Sequence, residues 1–228
     1  MLARIAAFLQ AAPLTGERQI PPKVRIGAAA LIAMAFTGVH APLSMTGLLT
    51  VLPMEILLGL IAGFSARVVI AGVEAGGDMI GLQMGLGFAS TFDPALGDTA
   101  LPTRRLVFAL ASMAFVSAGG IAAPARLAAL PTVEVWTLVE AYHSLLARAA
   151  EVMAVGIRIA TPILVAVTVA NIAMGLANRA APALNVFSVM LTVTGLMGAI
   201  VLLTSAPTMA AEITTAASRA VSAALGEL

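Results

Sequence analysis

Few residues in this chain have the chemistry of catalysis or metal binding. Glu140 and His143 stand in Glu-x-x-His spacing, which on a helix puts both side chains on one face, as in the ligand pairs of di-iron bundles. A di-iron site needs two such pairs, and the other histidine, His40, has no matching glutamate. We therefore predict no metal site and no cofactor.

Hydrolase motifs are also missing from the sequence. It contains no H-E-x-x-H, no G-x-S-x-G and no phosphate-binding loop. Gly97 and Asp98 lack the upstream glycine of an intramembrane aspartyl protease, because Ala95 stands there. The sequence has no cysteine, which excludes disulfides, iron–sulfur clusters and cysteine-ligated zinc. We predict that the protein is not an enzyme.

The composition is typical of an integral membrane protein. Hydrophobic residues make up 61% and charged residues 10%, whereas soluble domains have about 45–50% and about 25%. The formal net charge of +1 provides no basic surface for nucleic acid, and aromatic residues at 4% are too few for base stacking. We expect a lipid bilayer, and no nucleic acid, among the partners.

Four uncharged stretches are long enough to cross a bilayer. They are Ile26–Met54, Leu106–Ala125, Ile159–Asn178 and Ala180–Ala211. About 20 residues, rising about 1.5 Å each, match a hydrocarbon core of about 30 Å. The stretches do not alternate apolar and polar residues as barrel strands do, so they predict helices and an all-α fold.

Breaks in these stretches predict where the helices end. We expect boundaries near His40–Pro42, Pro131–Thr132 and Ala180–Pro182, because proline and small polar residues interrupt helices. The segment Phe92–Pro102 contains two aspartates, two prolines and one glycine, which predicts a loop.

Charged residues also occur inside apolar segments, at Glu55, Arg67, Glu74 and Asp78. Each costs at least about 2.5–3.5 kcal/mol at a bilayer centre, so we expect these side chains to face protein, water or each other. Arginines flank both ends of several stretches, which gives no clean orientation by the positive-inside rule. This pattern favours helices shielded from lipid by partner subunits; the alternative is a loose bundle of shortened helices.

Three glycines recur every four residues at Gly77, Gly81 and Gly85. On a helix they form a face without side chains, to which another backbone can approach closely. Because each interior glycine costs about 1 kcal/mol against alanine, three in register predict a helix-packing ridge. The functional interpretation is a tight contact with a helix of another subunit, or a flexible helix end beside a passage. The alternative is packing within the same chain.

Four polar residues in apolar surroundings are candidate subunit-interface residues: Gln83, Asn178, Arg179 and Asn185. Gln83 has the alternative role of an amide bonded within the chain. Asn178 and Arg179 have the alternative role of capping a helix end, where free carbonyl groups accept hydrogen bonds and attract cations.

Three segments together resemble the FliR family of flagellar export proteins. GERQIPPKVRIG (Gly16–Gly27), GLQMGLGFASTFDP (Gly81–Pro94) and GLANRAAPALNVF (Gly175–Phe187) are similar to its three signatures, in the same order. The residues of the second and third segments resemble the flagellar members more than the homologue used in virulence secretion. The segment before Gly16 is shorter than the leading helix usual in the family, and Ala183 stands where glutamine is common.

The resemblance implies a fold, a place and partners. The fold would be a single domain over 1–228, with a FliP-like helical part (about 1–147) and a FliQ-like helical hairpin (about 148–228). The protein would join FliP- and FliQ-type subunits in a closed export gate, with FlhB- and FlhA-type proteins beside it and unfolded flagellar proteins as substrates. The gate would lie at the inner membrane, in the flagellar basal body.

The resemblance also implies a pore plug in the loop after the glycine-rich helix. On this chain the plug maps to Gly85–Pro102, with Phe88, Phe92, Asp93 and Pro94 as candidates. The alternative function is a small secondary transporter, although such folds commonly carry internal repeats and this sequence shows no convincing repeat.

Overall fold

The computed structural model describes residues 1–16, 20–36, 45–87, 101–130, 135–180 and 186–225. Over these ranges the chain forms seven α-helices and no strand, which confirms the predicted all-α fold. A 3₁₀ turn covers Gly120–Ala122. The helices are α1 (Leu2–Ala11), α2 (Pro22–Ala35), α3 (Met45–Gln83), α4 (Pro102–Ser117), α5 (Ala123–Ala129), α6 (Val135–Ala180) and α7 (Val186–Leu225).

Three of these helices are long and apolar enough to cross a membrane. The qualifying segments are Gly47–Gln83, Leu138–Ala180 and Val189–Ala223. The pair formed by Pro102–Ser117 and Gly120–Ala129, bent by 64°, would add a fourth if it acts as one span. Together with the composition, these helices identify a membrane protein.

The first uncharged stretch, Ile26–Met54, is divided between α2 and α3, and the predicted break at His40–Pro42 lies outside the described residues. Glu55 lies inside α3, as expected from its place within an apolar segment. The helix continues through Glu55 and on to Gln83. It can do so because its carboxylates have arginine partners, which lowers the cost of keeping them in an apolar helix.

The bend between α4 and α5 occurs at a glycine. Gly119 has φ 92°, a left-handed conformation that glycine adopts without the steric cost of a Cβ. Its amide donates to the Val116 carbonyl at 3.0 Å, which closes the end of α4. The stretch Leu106–Ala125, predicted as one helix, is therefore broken there.

The chain divides into two compact units. The first contains Met1–Ala71, Ser112–Val152 and Thr214–Leu228, and the second contains Gly72–Ala111 and Met153–Ile213. Each unit is built from separate parts of the sequence. The predicted division near residue 147 instead separates two consecutive parts of the sequence, one FliP-like and one FliQ-like. That division stays a prediction.

The core of the first unit contains a buried ion pair. Arg4 is fully buried; its Nε and Nη2 donate to the two carboxylate oxygens of Glu55, each at 2.7 Å. Its Nη1 donates to the carbonyls of Leu127 and Leu130, at 2.9 and 3.1 Å. These carbonyls lie at the C-terminal end of α5, where a cation is favourable. One side chain thus joins α1, α3 and α5.

Glycines on α3 allow α1 to come close enough for this pair to form. A Cβ at Gly59 would collide with the carbonyl oxygen of Arg4, and one at Gly63 would lie 2.7 Å from the carbonyl oxygen of Phe8. Ile5 and Phe8 of α1 are buried beside them. The backbone of α1 therefore lies directly on the side-chain-free face of α3.

We predict that Glu55→Gln strongly destabilises the protein. The substitution leaves the Arg4 charge buried without a counter-charge, and removing one partner of a buried pair costs about 3–5 kcal/mol. The measurement is the thermal midpoint of the detergent-solubilised protein. The matched control is Glu140→Gln, which removes the same charge from an exposed position on α6. Equal midpoints for the two variants would contradict the role given to the pair.

Candidate functional site

The C-terminal end of α3 and the N-terminal end of α4 lie on either side of residues 88–100. They pack against each other through glycines. A Cβ at Gly77 would lie 2.8 Å from the Arg104 Cα and 3.1 Å from the Thr103 carbonyl oxygen. One at Gly81 would collide with the Thr103 hydroxyl and lie 2.8 Å from a methyl of Leu101. In the described part of the chain, the predicted glycine face meets a helix of the same chain.

Gly85 has a different role from the other two glycines. It lies two residues after Gln83, the last residue of α3, and has φ 78°. The Leu86 amide donates to the Gly81 carbonyl and the Gly85 amide to the Leu82 carbonyl, both at 3.0 Å. This is the hydrogen-bond pattern of a glycine cap at a helix C-terminus. The helical part of the ridge therefore consists of Gly77 and Gly81.

A second glycine contact, which the sequence analysis missed, joins α3 to α6. A Cβ at Gly76 would lie 2.8 Å from the Gly156 carbonyl oxygen, and one at Gly156 would lie 2.8 Å from the Gly72 carbonyl oxygen. Gly72 and Gly76 are also four residues apart, so the same spacing rule could have found them. Because of these glycines, the backbones of α4 and α6 both lie in close contact with the backbone of α3.

An ion triad also holds α3 and α4 together. Arg104 Nη2 lies 2.7 Å from a carboxylate oxygen of Glu74, and Nη1 lies 3.3 Å from one of Asp78. Glu74 and Asp78 are four residues apart on one helix face. Glu55 likewise has an arginine partner, Arg4. These contacts confirm, for the three carboxylates inside α3, the expectation that they face protein or each other.

Gln83, predicted as an interface or internal amide, donates from Nε2 to the Thr168 hydroxyl of α6 at 3.1 Å. Met84 packs at Gly198 of α7, where a Cβ would collide with the methionine side chain. The last turn of α3 therefore contacts both long C-terminal helices within the second unit.

Asn178 and Arg179 are exposed in the last turn of α6. Arg179 is a basic residue at a helix C-terminus, a favourable place for a cation, and its exposure also suits contact with a partner. Both roles stay predictions. The remaining predicted site residues lie outside the described residues: Phe88, Phe92, Asp93, Pro94 and Asn185.

The long C-terminal helices leave much apolar surface uncovered. In the most apolar window of α7, 11% of the residues are buried, against 33% for α6 and 56% for α3. On α7, Leu196, Ile200 and Leu203 are exposed by 62%, 50% and 76%. Continuous apolar surface of this extent indicates contact with lipid or with other proteins.

Comparison with known proteins decides the family. The family model described as bacterial export proteins, family 1, matches residues 1–220. The chain belongs to this family. The match includes all of α6 and most of α7. The similarity therefore extends over nearly the whole chain and is not limited to one segment.

The similar proteins are flagellar. The flagellar biosynthetic protein FliR of Pectobacterium carotovorum subsp. carotovorum is 32% identical over 205 residues, covering 86% of this chain and 78% of that protein. The FliR of Escherichia coli (strain K12) is 29% identical over 208 residues, covering 82% and 75%. The FliR of Bacillus subtilis (strain 168) is 26% identical, covering 82% and 76%. The family 1 export protein described here is thus a membrane-embedded component of flagellar export, which confirms the resemblance drawn from the three motifs.

We predict that Gly81→Ala destabilises the protein, because the added Cβ collides with Thr103 and forces α3 away from α4. Gly175→Ala is the matched control, since a Cβ there meets nothing within 4 Å. The control should be neutral or slightly stabilising, because alanine favours the helix by about 1 kcal/mol over glycine. The measurement is the thermal midpoint of both purified variants. Destabilisation of both, or of neither, would contradict the packing role of Gly81.

Proposed function

We propose that the chain is a structural subunit of the flagellar type III protein export gate. It assembles with FliP- and FliQ-type subunits into a closed helical channel at the bacterial inner membrane. FlhB- and FlhA-type proteins adjoin this channel in the basal body, and unfolded flagellar proteins pass through it. The observation that carries the proposal is the exposed apolar surface of α6. Along the helix axis this surface is longer than the hydrocarbon core of a bilayer is thick.

The length of α6 supports protein partners rather than lipid alone. The helix has 46 residues, or about 69 Å at about 1.5 Å each, against a hydrocarbon core of about 30 Å. Its exposed apolar residues extend from Leu146 to Leu176, about 45 Å along the axis. To keep all of them in lipid, the helix would need a tilt beyond the usual range of about 0–40°.

Charge on α6 supports the same conclusion. Arg158 is exposed and lies within the candidate span Leu138–Ala180. A cation at mid-bilayer costs at least about 2.5–3.5 kcal/mol, whereas an interface with protein or water can bind it. Partner helices that cover the apolar residues beside Arg158 account for both features.

The gating part of the proposal concerns the loop between α3 and α4. The resemblance assigns the plug to Gly85–Pro102, with Phe88, Phe92, Asp93 and Pro94 as the plug residues. Support comes from the residues on either side of it. Gly81 packs on Thr103, and Arg104 binds Glu74, so both ends of the loop start from one tightly packed helix pair.

Co-purification tests the assembly. We expect the tagged chain, co-expressed with FliP- and FliQ-type proteins, to come out of detergent in one complex with both. A secondary transporter would instead be a discrete monomer or small homo-oligomer that moves a small solute by itself. Solute transport by the purified chain in vesicles, without partner subunits, would overturn the proposal.

Alanine substitution tests the plug. We expect Phe88→Ala combined with Phe92→Ala to make cells leaky to small solutes, because two large apolar side chains leave the closed pore. The measurement is dye uptake together with secretion of flagellar proteins. Phe64→Ala, at a half-exposed position on α3, serves as the control. Unchanged leakage and secretion in the double variant would exclude these residues as the plug while leaving the assembly proposal standing.

A further inference from the structure

A polar cavity of about 380 Å³ lies in the first unit, where the first turns of α6 meet the last turns of α7. Its lining residues are Ser144, Ala147, Arg148, Glu151 and Arg219. None of them belongs to the glycine contacts or the ion triad described above. Two arginines face one carboxylate there, so the lining has an excess positive charge.

The guanidinium group of Arg148 is held in place but only partly bonded. Its Nη1 donates to the carbonyl oxygen of Arg219 at 3.2 Å. Its Nε is buried and has no hydrogen-bond partner among the described residues. A buried donor without an acceptor is unfavourable. An oxyanion that reached this edge of the group would supply the missing acceptor.

Glu151 neutralises the second arginine only weakly. Its carboxylate oxygen lies 3.6 Å from Arg219 Nη1, and the glutamate side chain is 58% exposed. That distance is too long for a hydrogen bond, and exposed pairs of this kind contribute little to stability. Arg219 can therefore turn towards a ligand in the cavity at small cost.

We propose that this cavity binds a phosphate group, either of an anionic phospholipid or of free phosphate. Guanidinium groups match phosphate through paired N–H donors. A tetrahedral phosphate has enough oxygens to accept from Arg148 and Arg219 at once, and the two residues come from different helices. The cavity also lies towards the N-terminal end of the candidate span Leu138–Ala180 and towards the C-terminal end of the candidate span Val189–Ala223. Headgroup phosphates border the ends of a membrane span. The site does not depend on the export-channel proposal.

The test measures the thermal midpoint of the purified full chain in detergent with four additives. These are inorganic phosphate, chloride at matched ionic strength, phosphatidylglycerol and phosphatidylcholine. We expect phosphate or phosphatidylglycerol to raise the midpoint, and chloride and phosphatidylcholine to leave it unchanged. A response to phosphatidylglycerol alone identifies a lipid headgroup as the ligand, and a response to phosphate alone identifies the free ion. Competition between the two identifies one site for both.

Variants locate the response. Arg148→Ala and Arg219→Ala should abolish it, and Arg148→Lys, which keeps the charge but loses the paired donors, should weaken apparent affinity about tenfold. Arg158→Ala is the control, since this exposed arginine of α6 lies outside the cavity lining. An unchanged response in Arg148→Lys and Arg219→Ala, equal effects of both lipids, or an equal effect of chloride would overturn the proposal.

Discussion

The bond between Arg4 and Glu55 is the constraint on which the first unit depends. Burying two charges is costly, and their attraction offsets that cost only when the geometry is good and the remaining donors are bonded. Here the guanidinium has two bonds to the carboxylate and two to carbonyls at the end of α5. Because the charges need each other, the positions of three helices are fixed by one side-chain contact. The apolar packing of Ile5 and Phe8 then follows from that arrangement.

Glycine has the corresponding role in the second unit. Without a strong hydrophobic drive between helices in lipid, tight packing needs backbones that approach closely. Gly76 and Gly156 allow α3 and α6 to approach closely, while Gly77 and Gly81 allow α4 to approach α3. One helix thus presents two side-chain-free faces about a third of a turn apart. A glycine face alone would allow α4 to slide along α3. The ion triad of Arg104, Glu74 and Asp78 sets the register between these two helices.

The sequence predicted some of these features for clear physical reasons and missed others. Four-residue spacing predicted the close packing at Gly77 and Gly81, but could not show that Gly85 leaves the helix, because a cap has the same residue type. Uncharged stretches predicted α6 and α7 in part. The sequence placed Glu55 inside the apolar segment that forms α3, but it did not reveal the partner of Glu55, an arginine 51 positions earlier. Long-range pairing of that kind is not visible in local composition. Family motifs, rather than periodicity, led to the export function.

The division of the chain into units affects the order of events during synthesis. The first unit combines early residues, up to Ala71, with residues after Thr214. The early helices can pack with α5 once residue 130 has been made, but the unit stays incomplete until Thr214–Leu228 has been synthesised. During that interval their apolar faces stay incomplete and open to wrong contacts. Synthesis of the last turns of α7 therefore completes this unit.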